Sequence, residues 1–431
     1  MRRLLLPPIG ALLLCSTVTA QTIAFTGAKV IPVSGPEIES GTLIVREGTI
    51  VAVGATGSVT IPAGAERVDL TGRTIMPGLV DSHSHIGEAA GADSSNPIQP
   101  EVRVMDAVNV RDAGIQKAQA GGITTVNIMP GSGHLLSGQT IYLKLRDGNS
   151  IDDLMIRLPD GRVAGGLKMA NGTNPRRAAP FPGTRAKAAA LIREQFVKAQ
   201  EYREKMRRGD PSKRPDRDLA MEALAEVLEG KRVVHHHTHR HDDILTVLRL
   251  AKEFGFRVVL QHVSEGWRVA REIAAAGAPA SIIMIDSPGG KLETRHLSYT
   301  TGKVLDDAGV LVGFHTDDGI TDSRLFLRSA ALAVRAGMSR AKALEAMTIS
   351  NARMLELDHR VGTLAPGKDA DFIILSGDPL SVYTHVLETW VEGRKVFDRD
   401  DPKDRLYAVG GYGASRDQVL HLDCIGEGDA R

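Results

Sequence analysis

The chain has 431 residues, 42% of them apolar and 24% charged, with a formal net charge of +1 and aromatic residues at only 4%. This length exceeds one ordinary domain and suits a barrel of roughly 250 residues with additions. The balanced charge argues against a nucleic-acid or strongly acidic partner, and the scarcity of aromatic rings argues against recognition by stacking on bases or sugars.

Residues 1–20 read as a signal peptide. Arg2 and Arg3 supply the positive start, Leu4–Leu14 a largely apolar run, and Val18-Thr19-Ala20 the small residues of a cleavage site. The run is too short to span a bilayer as a helix. The expectation is an exported protein, periplasmic or extracellular, with no membrane partner once the leader is removed. Leu14, directly before Cys15, is too large for a lipobox. Cleavage leaves Cys424 alone, so neither an intrachain disulfide nor a thiolate zinc site can form. Any metal must be held by histidine and carboxylate.

Residues 21–75 carry short strands, "KVIPV", "GTLIVREGTIVAVG" and "AERVDL", rich in Val, Ile and Thr and broken by Gly and Pro. Residues 358–431 return to that texture in "GTLAPGKDADFIIL" and "VLETWVEGRKVF". One small β domain built from both ends is therefore expected. Between them, residues 76–357 alternate apolar strands with helices, the pattern of a parallel sheet. The strands are "IMPGLVDSHSHIG", "GGITTVNIMPG", "VAGGLKMA", "RVVHHHTH", "RVVLQHV", "ASIIMI" and "GVLVGFHTDD". Helices are expected from about Asp106 to Ala120 and over "DDILTVLRLAKEF" and "RVAREIAAAG". Residues 185–208 read as one long charged helix, and 209–217 as a solvated loop.

The strongest chemical signal is "PGLVDSHSHIG". Asp81, His83 and His85 alternate at the end of an apolar strand. Residues two apart on a strand share a face, so His83 and His85 can converge on one ion. In a barrel of parallel strands, that end carries the active site.

The run "VDLTGRTIMPGLVDSHSHIG", with "RVGTLAPGKDADFIIL" late in the chain, resembles the amidohydrolase superfamily over nearly all of the mature sequence. Within it, the likeness is to the imidazolonepropionase-like and metal-dependent dipeptidase branch. The resemblance implies an α/β fold: a (β/α)8 TIM-type barrel with a small β-sandwich domain, and one or two divalent metals at the strand ends. It implies His83 and His85 as metal ligands. On the fifth strand, the pattern His-x-His-Arg before an Asp-Ile helix start selects His237, with His235 alternating beside it. His239 and Arg240 would then sit above the metal, towards substrate. The sixth strand gives His262. On the eighth, Thr316-Asp317 fits the family pattern, which implies Asp317 as both ligand and general base. His315, Asp318 and Asp322 remain candidate substrate contacts.

The fourth strand departs from the pattern. Relatives of this branch carry Glu in a Gly-Glu-Asn-Pro turn, where this chain has Gly172-Thr173-Asn174-Pro175. Threonine is a poor divalent ligand beside a carboxylate. Either Lys168, carboxylated at this place in many family members, is the fourth-strand ligand, or the site is mononuclear. The loop "NIMPGSGHLLSGQT" lacks the Lys-Ser/Thr ending of a phosphate loop and offers His134 and Gln139 as candidate substrate contacts.

The implied chemistry is hydrolysis of a C–N amide bond in a peptide, N-acyl amino acid or cyclic amide, by an activated water with Asp317 as base. With nitrogen and oxygen ligands alone, zinc is the first expectation and Mn or Fe the alternatives. Two other readings stay open: a mononuclear deaminase or cyclic-amide ring opener, and a non-catalytic binding protein with a degraded metal site, which only Thr173 favours. The expected partner is a small-molecule amide or peptide. A homo-oligomer is compatible with the sequence.

Overall fold

Alternating Val, Ile and Thr produce five strands at the N-terminal side: β1 (Thr22–Val30), β2 (Ile38–Arg46), β3 (Thr49–Ala55), β4 (Glu66–Asp69) and β5 (Thr74–Pro77). The structure is a computed structural model and describes residues 21–89, 93, 95–208, 210–284 and 291–410. The expected leader over 1–20, with Cys15, and the last cysteine, Cys424, lie outside the described residues.

The middle of the chain carries β6 (Leu79–Ser84), β7 (Ile123–Ile128), β8 (Leu136–Gln139), β9 (Ile141–Lys144), β10 (Leu167–Ala170), β11 (Val234–Thr238), β12 (Val258–His262), β13 (Ala280–Ile282) and β14 (Val312–Phe314). Their ladders make two arcs, β14-β13-β12-β11-β10-β8 and β6-β7-β9. From β10 to β14 every pairing is parallel, which brings the C-terminal ends of these strands to one side. Backbone hydrogen bonds tie the arcs together. Asp317 N donates to His83 O (2.9 Å) on one side, and Thr140 N and Tyr142 N donate to Gly166 O and Ala164 O (3.0 Å each) on the other. The central strands are buried on both faces, which is why they read as unbroken apolar runs.

Three strands follow: β15 (Phe372–Leu375), β16 (Val386–Val391) and β17 (Arg394–Asp398). They join the N-terminal strands in one sheet of order β17-β16-β15-β5-β1-β2-β3, with β4 beside β1. Both ends of the chain thus meet in one β-rich unit. Phe25, Phe372 and Trp390 form its aromatic centre, with ring centroids 5.0–5.4 Å apart.

The helix Arg185–Met206 matches its expected span and buries Ala188, Ile192, Phe196 and Ala199, one stripe at helical spacing. Three elements differ from the sequence reading. The helix expected over 106–120 is a 3-10 turn, Val104–Asp106, and then a helix Ala113–Ala120. Asn109 Oδ1 accepts from Arg111 N and Asp112 Oδ2 from Gly114 N, so these side chains turn the chain before the helix starts. The Gly- and Ser-rich loop contains β8, which pairs antiparallel with β10. At Gly138 (φ +124°) a Cβ would lie 2.5 Å from Val102 O, so this glycine permits the close approach of the segment that carries Val102. The strand expected over 280–285 narrows to Ala280–Ile282 among the described residues. No described helix is long and apolar enough to cross a membrane.

Candidate metal centre

His83 leaves the buried end of β6 and faces His85 and Asp317. His83 Nε2 and His85 Nε2 lie 3.3 Å apart, and Asp317 Oδ1 lies 3.4 Å and 3.1 Å from them. Ligand atoms about 2.1 Å from a tetrahedral ion stand about 3.4 Å from one another. The spacing and the donor set therefore fit one divalent ion. Lys168 Nζ is 3.1 Å from His83 Nε2 and 3.0 Å from Met129 Sδ.

The back of each ring is held. His85 Nδ1 faces Met129 O at 2.8 Å, so it carries the proton and Nε2 presents its lone pair. His83 Nδ1 faces Gln261 Oε1 at 3.3 Å. Gln261 Nε2 in turn donates to His235 Nδ1 (3.1 Å), whose Nε2 meets the Tyr142 hydroxyl at 2.9 Å. His235 does share a strand face with His237, but one level deeper, as part of this supporting chain. Burial lowers its pKa to about 3, so it stays a neutral imidazole.

Neighbours on a strand point to opposite faces. Gln261 points inward, so His262 in regular β conformation would point out. Instead His262 has φ 71°, and its ring stands 4.8 Å from that of His83 and 4.5 Å from that of His237. A non-glycine residue with that φ costs on the order of 1–3 kcal/mol, which the surrounding packing must offset. His262 Nδ1 lies 3.0 Å from His315 Nε2, and His315 Nδ1 lies 2.8 Å from Ser281 Oγ. His83, His262 and His315 form a second group able to hold an ion.

Asp317 is fixed by its neighbours. Asp81, fully buried, accepts from Thr316 N (3.1 Å) and Thr316 Oγ1 (2.5 Å). Burial raises the Asp81 pKa to about 7 against those hydrogen bonds. Burial also pushes Asp317 upward, but the neighbouring His85, His315 and Lys168 together hold the carboxylate well below its usual range. Asp318 turns the other way and accepts from Ser323 N (2.9 Å) and Ser323 Oγ (2.5 Å).

A third group comprises His237, His239 and Glu293, each offering one ligand atom within 4.8 Å of the others. Burial keeps His83, His237, His239 and His262 well below the ordinary imidazole pKa. Neutral imidazoles beside a carboxylate are the state a divalent ion requires. Glu293 carries no signal in the sequence that singles it out.

Of the sequence candidates, His83, His85, Lys168, His237, His239, His262, His315 and Asp317 gather in these linked groups. The others stand apart in their recorded contacts. His134 is buried with its ring 5.3 Å from Phe181, and burial lowers its pKa to about 4. Gln139 Nε2 donates to Pro100 O at 3.3 Å. Arg240 pairs with Asp242 through two hydrogen bonds of 2.9 Å and 2.8 Å.

A family described as the amidohydrolase family matches residues 74–397. Amidohydrolase tasK of Hapsidospora irregularis is 27% identical over 394 residues, which cover 83% of this chain and 40% of that protein. The chain thus spans less than half the length of this relative. Imidazolonepropionase of Deinococcus radiodurans is 27% identical over 369 residues, 79% of this chain and 86% of that protein. Among solved structures, an amidohydrolase from Thermotoga maritima is 33% identical with a TM-score of 0.81, covering 88% of this chain and 100% of that one.

Proposed function

The chain belongs to the amidohydrolase family, and from that premise we propose that it hydrolyses a carbon–nitrogen bond of the amide type in a small molecule or peptide. One observation carries the proposal: a carboxylate, Asp317 Oδ1, 3.1 Å and 3.4 Å from the Nε2 atoms of His85 and His83. The reading extends the fold to a (β/α)8 barrel over about 76–357 with a small β-sandwich from both chain ends, and it keeps export through residues 1–20.

His83, His85 and Asp317 would hold a divalent ion, with zinc first among the candidates for an N/O donor set. When bound, such an ion activates a water and polarises a carbonyl oxygen. Asp317 has the second task of moving protons. Its Oδ2, 3.7 Å from His262 Nδ1, takes a proton from the attacking water and returns it to the leaving nitrogen. The depressed pKa of Asp317 keeps this carboxylate ionised, the state in which it can hold a cation. His262, steadied by His315, presents its ring towards the same point. Lys168, if carboxylated, would add a carboxylate to the donor set beside His83.

Asp317→Asn keeps the shape and cannot act as a base near neutral pH. Turnover of dipeptides, N-acyl amino acids and lactams by metal-loaded enzyme should fall by about 10²–10⁴. Asp318→Asn should keep its activity, because Asp318 is bound to Ser323 and faces away. Near-wild-type turnover in Asp317→Asn would sink the proposed role.

A further inference from the structure

We infer that Glu293 supplies the carboxylate that the fourth-strand turn lacks at Thr173, and that His237, His239 and Glu293 form a second divalent-cation site beside His83, His85 and Asp317. This rests on the hydrolase reading above and deepens it.

The turn Gly172-Thr173-Asn174-Pro175 offers no carboxylate of its own. In the folded chain Thr173 receives a carboxylate instead of providing one. Its amide (2.8 Å) and its hydroxyl (2.6 Å) both donate to Glu293 Oε2, across 120 residues of sequence. Gly172 makes room for this: at φ +82°, a Cβ there would stand 2.8 Å from the same oxygen. One carboxylate oxygen is thus pinned at the turn. The other, Oε1, is buried and has no hydrogen-bond partner.

His237 faces the same problem. Both of its ring nitrogens are buried without a partner, although an imidazole has one N–H donor and one lone pair to satisfy. Leaving such groups unpaired in a buried site is unfavourable. His239 is oriented from behind, its Nδ1 2.8 Å from Ser264 Oγ. Two imidazoles and a carboxylate oxygen converging within 4.8 Å are a ligand set for one cation, which would satisfy His237 and Glu293 together.

The competing explanation is that Glu293 serves only to pair with Arg185. Arg185 Nη2 is 3.6 Å from Glu293 Oε2, too far for a good hydrogen bond, and its Nε is committed to Asp243 at 3.0 Å and 2.8 Å. That pairing also leaves Oε1 and both nitrogens of His237 unexplained. With the side chain of Glu293 only 2% exposed, solvent does not account for them.

The test is zinc stoichiometry of the full chain by elemental analysis after loading and desalting, with cobalt substitution followed by visible absorption as a second readout. The expected results are about two ions in the wild type, about one in Glu293→Gln, and a return to about two in the double variant Thr173→Glu/Glu293→Gln, which restores a carboxylate from the turn. If Glu293→Gln fails to fold, as judged by circular dichroism, His239→Gln should show the same loss of one ion. Two ions retained in folded Glu293→Gln would overturn the inference. So would a wild type that binds one ion, lost in His83→Ala, and that result would leave the hydrolase reading standing. A wild type that binds none would overturn both.

Discussion

Gln261 links two histidines with different tasks. Its Oε1 faces His83 Nδ1 and its Nε2 faces His235 Nδ1, so one amide fixes the tautomer of a candidate ligand and of the ring supporting it. Gln261→Leu keeps the approximate volume and strands both nitrogens. Metal affinity should weaken about 10–100-fold, the range for lost partners behind a ligand. Chelator competition measures this, and unchanged affinity would contradict the role. His83 and His85 were legible in the sequence because a spacing of two on an apolar strand puts both on one face. His262 was legible as the end of a strand, but not its left-handed backbone, which turns the ring into the site. Glu293 could not be read at all. It lies in a short 3-10 turn, and its partner Thr173 is 120 residues earlier, so no local period marks it. Arg240 illustrates the opposite limit: an acidic residue two positions on, Asp242, takes up its guanidinium.

Between elements, a buried ionic contact ties β9 to the terminal sheet. Lys144 closes β9 with its side chain 1% exposed, and its ammonium is held by Asp369 at 2.8 Å and by Asp371. Asp371 stands just before β15, and its other oxygen accepts from Glu392 N at 2.8 Å. Removing one partner of a buried pair leaves a charge without compensation. Asp371→Ala should therefore lose about 3–5 kcal/mol, while Lys144→Met/Asp371→Leu should recover much of that loss. Urea unfolding of both variants checks this, and a loss under about 1 kcal/mol in Asp371→Ala would show that Asp369 alone suffices. The strand-rich ends were legible from their Val, Ile and Thr content, and the helix Arg185–Met206 from its apolar stripe. The strand β8 was not, because Gly and Ser carry little β propensity and its ladder depends on β10, far away in sequence.

Across the whole molecule, the cost of assembling so many buried imidazoles should appear in the response to pH. Burial lowers the pKa of His83, His134, His235, His236, His237, His239, His262 and His315. Below about 6.5 the unfolded chain takes up protons that these rings refuse, so stability should fall as pH drops through that value. Asp81, raised to about 7, and Asp243, Asp318 and Asp371, also raised, work in the opposite direction, but the imidazoles outnumber them. Metal-free protein should therefore melt at a lower temperature at pH ~5 than at pH ~7.5, and an unchanged or higher melting temperature would contradict the balance. The family and the pairing of the two chain ends were legible in the sequence, whereas the joining of the two arcs depends on long-range hydrogen bonds that no local pattern records. The most direct test of the whole is divalent-metal content, measured by elemental analysis in the wild type, His83→Ala and His85→Ala, each verified as folded. The wild type should hold at least one ion per chain, and each variant should lose the ion at His83, His85 and Asp317 together with nearly all turnover. Folded variants with the metal content of the wild type would contradict a metal centre at these residues.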